Sequence, residues 1–278
     1  MTSDPQTSID AAPASPPSRV PRLRPLAFGD TFGWLRAGWH DFVRAPWVGL
    51  FFGVVFVGMG WALMKVFERA PAYTLALSAG FLLMGPFLCL GLYRVSQRLE
   101  AGERPDFGDS LLAWDTRTGQ LAIFGFVLLV LEMLWGRATL VVFAVSFDGM
   151  PDFKGSLRAL LDPENLPFIT AWACVGAVFA GLIYSISVVA IPMILHRQTD
   201  AITAGLTSLR LVLTQTGVML LWGALIAALV TLAMLPWFAG LLVVGPLIGH
   251  ASWHAYREAV AEPPERAQPG AAVPSTMA

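Results

Sequence analysis

The sequence predicts an all-α membrane protein of six transmembrane helices arranged as three hairpins, each preceded by a short amphipathic cytoplasmic interfacial helix. Three observations carry that expectation. Of 278 residues, 56% are hydrophobic and only 13% charged, about half the charged share of a soluble globular domain. Several uncharged stretches reach the roughly 20 residues a helix needs to cross the hydrocarbon core of a bilayer. Similar short amphipathic segments also recur ahead of successive apolar pairs.

The ends of the chain read differently from its middle. "MTSDPQTSIDAAPASPPSRVPRLRP" places acids and prolines where a secretory signal would be apolar. Its Pro, Ser and Ala content with low hydrophobicity predicts a disordered tail over 1–25. "EPPERAQPGAAVPSTMA" predicts another over 261–278, leaving one transmembrane domain at 26–260. A net charge of −1 argues against a nucleic-acid partner, which needs clustered basic charge. Cys89 and Cys174 lie in apolar runs as small hydrophobes, with no disulfide framework or metal-ligand spacing between them.

The first interfacial helix is expected at "FGDTFGWL", the second at "FGDSLLAW", and a looser third at "DAITAGLTSL". Each offers an aspartate in N-cap position (Asp30, Asp109 and Asp200), its carboxylate able to accept from first-turn amides. Apolar stripes follow at helical spacing: Phe32, Leu35, Trp39 and Phe42; Leu111 and Trp114; Ile202, Leu206 and Leu209. Such helices lie flat at a membrane interface, with Arg36, Arg117 and Arg210 toward headgroups. They serve either as structural lead-ins to each hairpin or as a platform for a partner or anionic lipid.

The uncharged spans fall at 46–64, 71–93, 118–147 and 166–195, the third interrupted by Glu132 and Arg137. The run 211–249 is too long for one crossing, and Pro236 favours a break through its missing N–H and ring clash. Two helices near 212–235 and 237–257 are therefore expected. Pro86, Pro192 and Pro246 recur in the returning helices, where a fixed kink is the simpler reading than a hinge. On the outer side, "FKGSLRALL" from Phe153 reads as a short surface helix.

Basic residues set the orientation. With the N-terminus inside, the cytoplasmic side carries Arg19, Arg22, Arg24, Arg36, Arg44, Arg94, Arg98, Arg104, Arg117, Arg197, Arg210, Arg257 and Arg266. The opposite side carries Lys65, Arg69, Lys154 and Arg158. Both termini are thus expected in the cytoplasm of a bacterial inner-membrane protein. Trp47, Trp61, Trp172, Trp237 and Trp253 fall near span ends, as interface belts do.

Four strings, "GWLRAGWHDF", "GPFLCLGLYRVSQRLEAGE", "VVAIPMILHRQTDAITAGLTSLRL" and "GPLIGHASWHAYREA", together resemble the DUF2189 family of bacterial integral membrane proteins. The resemblance extends from about Leu26 to Arg257. It implies an integral membrane protein of unknown function, some members being labelled cytochrome c oxidase subunits. A haem-copper catalytic core needs several intramembrane histidines. Here only His250 and His254 of four qualify, His40 and His196 lying at interfacial positions.

Two polar pairs interrupt the apolar spans. Glu132 and Arg137 are offset by five residues, about 140° around a helix, so they are not i, i+4 partners. Arg137 lies roughly 27 Å along a helix begun near Gly119 and can snorkel outward. Glu132 lies deeper and must pair, stay protonated or line a wet cavity. It is either a proton- or cation-binding group, or a structural residue hydrogen-bonded to Ser185, Ser187 or Thr231. His250 and His254 share a helix face. With no third ligand apparent, they are expected to be structural or interfacial rather than metal-binding.

No catalytic constellation, cofactor motif or metal site is evident. The expected function is therefore non-enzymatic: an accessory or assembly subunit of a membrane complex, respiratory complexes included, or a homo-oligomer. Small-residue pairs Gly49/Gly53 and Gly176/Ala180 would permit close helix contact. The alternative is a small-solute or ion permease using the proline-kinked helices and Glu132. The expected partners are the lipid bilayer and other membrane subunits or a second copy.

Overall fold

The computed structural model describes residues 21–69, 74–146, 163–197 and 199–261. Most of both predicted tails and the predicted surface helix at Phe153 lie outside the described residues. The described chain is all-helical: α1 (Asp30–Arg44), α2 (Pro46–Arg69), α3 (Thr74–Glu100), α4 (Phe107–Leu111), α5 (Thr118–Ser146), α6 (Leu166–Ser187), α7 (Ala190–Arg197), α8 (Ala201–Thr214), α9 (Thr216–Met234) and α10 (Leu241–Ala259).

Among the described residues, four segments are long and apolar enough to cross a membrane: Pro46–Val66, Thr118–Ser146, Pro163–Arg197 and Thr216–Met234. Six crossings were expected. The last returning helix, α10, is not among these four because its second half carries His250, His254, Arg257 and Glu258. That polarity is compatible with its position. α10 is the hub of the bundle, packed most extensively on α1, then α2 and α3, with α9 and α7 also against it. A helix enclosed by protein does not have to present apolar groups to lipid.

Close backbone approaches build this hub. A Cβ at Gly38 of α1 would sit 2.7 Å from the Ala251 amide of α10, and one at Gly53 of α2 would strike the Leu242 carbonyl. Gly49 lies against the Phe42 ring, and Gly176 faces Trp135. The small residues expected to mediate contact between chains thus work mainly inside this one; Ala180 alone of the four is exposed. The core sits toward the end carrying Arg94, Arg98, Arg197 and Arg257, around Trp34, Tyr93, Ile191, Met193, Trp222, Trp253 and Tyr256.

The proline expectations resolve individually. Pro86 and Pro246 lie inside α3 and α10. Pro192 cannot donate to Val188, and the helix breaks at Val188–Val189 between α6 and α7. Ser208 of α8 repairs that break. Its hydroxyl donates to the Ser185 carbonyl at 2.8 Å and accepts from the Val189 amide at 3.4 Å, bridging two groups that an unbroken helix would bond directly. The break near Pro236 also forms, over 235–240, with Trp237 and Phe238 at φ 53° and 65°. Phe238 is buried, and the Trp61 indole donates to the Trp237 carbonyl at 2.8 Å, holding backbone that costs L-residues about 1–2 kcal/mol each.

Of the three expected capping aspartates, Asp200 caps as expected and Asp30 and Asp109 do not. Asp200 caps α8, accepting from the Thr203 amide. Asp106, rather than Asp109, caps α4; Asp109 is drawn instead into ion pairs with Arg94 and Arg98 at 2.9 and 2.6 Å. Asp30 is the first residue of α1, where it accepts from Ala27. The chain is also held ahead of the boundary drawn at Leu26: the Arg24 amide donates to Ala259, and Ala261 donates to Arg22.

Candidate functional site

The densest polar arrangement forms where α1 and α3 meet the second half of α10. Trp34, Gly38 and Asp41 fall at i, i+4 and i+7 on α1, a single helical face, and all three are buried. That face delivers Asp41 to α10, where its Oδ2 lies 2.8 Å from His254 Nε2. One turn earlier on the same face of α10, His250 is fully buried, its Nδ1 2.8 Å from Ser96 Oγ of α3. Ser96 also lowers the Asp41 pKa.

The Asp41 carboxylate can only accept, so it receives the His254 N–H. Burial pushes the Asp41 carboxyl up, but neighbouring His254 and Ser96 and the histidine charges outweigh it, holding it below its ordinary value. His250 Nε2 is buried without a hydrogen-bond partner among the described residues.

Beside these groups lies an open pocket of about 540 Å³ lined by His254, Glu100, Arg257, Glu258, Arg24 and Trp34. Its charges are largely engaged with each other. Trp34 Nε1 donates to Glu258 at 2.5 Å, and Glu100 receives both Arg257 and the Trp253 indole. His254 joins the pocket to the buried Asp41, with the Ser96–His250 contact alongside. Beside it, Arg197 donates to the Tyr256 hydroxyl and the Val260 and Ala261 carbonyls, each at 2.8 Å. It thereby caps the end of α10, where cations are favoured.

The structure separates the residues singled out in the sequence. His250 and His254 enter this network on one face, as their spacing required. Among the described residues no three His, Cys, Asp or Glu side chains gather as a metal group. Glu132 and Arg137 fall on opposite sides of α5: Glu132 is buried in line with Leu121, Phe124, Leu128 and Thr139, and Arg137 is exposed. Ser185 and Ser187, expected as neighbours of Glu132, bond the carbonyls of Gly181 and Ile183 in their own helix. Glu132 makes no hydrogen bond among the described residues, and Trp135 Nε1 and Thr139 Oγ1 nearby are buried without partners. The sequence reading missed Asp41 and Ser96. The aspartate's spacing from Trp34 and Gly38 was a usable signal, whereas nothing local marks Ser96.

The fold is that of an integral membrane protein with multiple apolar helices. Residues 74–196, from the start of α3 to the end of α7, match the model of the DUF2189 family, described as a predicted integral membrane protein. The match includes the whole of "GPFLCLGLYRVSQRLEAGE" and the first part of "VVAIPMILHRQTDAITAGLTSLRL"; the α1 and α10 motifs lie outside it. No curated protein and no solved structure matches the chain.

Proposed function

We propose that this is a non-enzymatic bacterial inner-membrane protein that works by association, as an accessory or assembly subunit of a larger membrane complex or as a homo-oligomer. One contrast carries the reading. The arginine-rich end is locked by buried polar contacts, whereas the span Thr118–Ser146 is only 11% buried over its most apolar window. Phe126, Met133, Leu140 and Val145 of α5 all face outward. A rigid base with a broad apolar flank suits lateral docking between membrane helices, where van der Waals packing drives association.

The topology that accompanies this reading has six crossings and both termini in the cytoplasm. α3 has 27 residues, about 40 Å of helix, and α10 crosses sheltered by α1, α2 and α3. Phe32 and Trp39, Leu111 and Trp114, and Ile202 and Leu206 are exposed in the same three stripes, which supports three interfacial helices facing headgroups. Extraction of tagged full-length chain in mild detergent followed by native mass spectrometry tests the association. A stoichiometric membrane complex or homo-oligomer is expected; a lone monomer at every detergent concentration refutes it.

The permease alternative is favoured by one observation, the buried Glu132 beside the unpartnered Trp135 and Thr139 groups. In proteoliposomes, Glu132→Gln should then abolish a proton or cation flux that wild type supports, with folding unchanged. Absence of flux in wild type removes this alternative.

A further inference from the structure

A second cavity, of about 650 Å³, opens where the segment 23–28 meets the junction of α8 and α9, within the 300–1,000 Å³ range of small-ligand sites. Two arginines line it, Arg24 and Arg210, and no aspartate or glutamate does. Several other arginines at this end are engaged: Arg94 and Arg98 with Asp109, Arg257 with Glu100, and Arg197 with carbonyls. The guanidinium groups of Arg24 and Arg210 make no ion pair or hydrogen bond among the described residues. Arg24 also borders the neighbouring pocket, but there Glu258 holds the Trp34 indole and Glu100 holds Arg257. The cavity therefore carries paired positive charge with no counter-ion among its own side chains.

The backbone beneath these charges is fixed. The Arg24 amide donates to the Ala259 carbonyl at 2.9 Å. The Gln215 side chain accepts from the Leu26 amide at 2.6 Å and donates to the Arg24 carbonyl at 2.7 Å, which pins this segment to the start of α9. The hydroxyls beside them are turned to local carbonyls, Thr214 to Arg210 and Thr216 to Leu213. The guanidinium groups are left as the charged donors, and charged donors of this planar kind favour phosphate.

The surroundings of the cavity favour a phosphate that carries an apolar body. Arg210 falls four residues after Leu206 and three before Leu213, one face of α8, and both leucines are exposed. Phe28, on the cavity wall, is exposed as well. We propose that this cavity binds one anionic phospholipid, with its phosphate on Arg24 and Arg210 and its acyl chains running past Phe28 and Leu213. The proposal rests on the interfacial placement of α8 given above and is independent of how chains associate.

Native mass spectrometry of the full chain in mild detergent tests it, with dioleoylphosphatidylglycerol and dioleoylphosphatidylcholine titrated in turn. The spectra resolve chain number from lipid adducts, so failure of association and failure of this site are read apart. One phosphatidylglycerol per chain should be retained at concentrations where phosphatidylcholine is not. Arg24→Gln and Arg210→Gln should each weaken that binding about fivefold, the weight of one basic residue beside an anionic headgroup. Arg36→Gln, which changes an exposed arginine on α1 outside the cavity, should leave it unchanged. Equal retention of the two lipids overturns the proposal. An equal loss in all three variants also overturns it, by showing diffuse surface charge only. Displacement of the lipid by millimolar inorganic phosphate would identify a free-anion site and overturn the lipid occupant. Should a variant not fold, the wild-type ratio of the two lipids and the phosphate competition decide.

Discussion

Replacing Asp41 with asparagine removes a charge and keeps the shape, which isolates the electrostatic part of the α1–α10 contact. The carboxylate is buried and holds His254 at 2.8 Å. A hydrogen bond to a charged group contributes about 1.5–3 kcal/mol. His254 retains a quarter of its side-chain exposure, so water recovers part of its loss, and asparagine still offers one acceptor oxygen. About 2 kcal/mol should remain as the net cost of Asp41→Asn. That lowers Tm by roughly 4–8 °C at this chain size.

The pH dependence has a definite sign. Asp41 titrates below its ordinary value of 3.8 in the folded chain, so its contribution is fully present above that value. It is lost as pH falls through the lower folded one. Wild type should therefore lose stability below about pH 4, and Asp41→Asn should lack that component. Thermal unfolding followed by fluorescence of the ten tryptophans in detergent measures both effects. A double-mutant cycle with His254→Gln should show the two changes costing less together than the sum of each alone. An unchanged Tm for Asp41→Asn, or strict additivity with His254→Gln, would refute the pairing.

Three further outcomes are expected. Gly53→Leu drives a side chain into the Leu242 carbonyl and should cost about 1–3 kcal/mol by overpacking, read as a lowered Tm. Ser208→Ala leaves the Ser185 carbonyl and Val189 amide unpaired at the α6–α7 break, costing about 1–3 kcal/mol and speeding hydrogen exchange at Val189. Arg197→Lys cannot reproduce three bonds from one planar fork. It should accelerate exchange at Val260 and Ala261, and a protection pattern identical to wild type would show that Arg197 does not clamp the end of α10.

How far the sequence reaches is visible in particular residues. The separation of Glu132 from Arg137 followed from helical angle alone, and so did the shared face of His250 and His254. The break near Pro236 followed from the ring and the missing N–H, whereas at Pro192 the same chemistry predicted only a kink and the helix is interrupted at Val188–Val189. These are local rules, set by the 3.6-residue period and the chemistry of proline, and a chain read in isolation obeys them.

Other features depended on partners far away in the chain. Asp109 was available as a cap until α3 presented Arg94 and Arg98, whose charges outcompete the amides of a short helix. Gly49 and Gly53 carried no sign of whether they would receive another chain or α10. Ser96 and Asp41 lie 154 and 213 residues from their histidine partners. Hydrophobic length and helical periodicity by themselves determined that this chain forms apolar helices suited to a membrane. Only tertiary packing decided which polar groups are joined and which are left open, because hydrogen bonds and ion pairs act over a few ångströms and their partners are set by the three-dimensional fold.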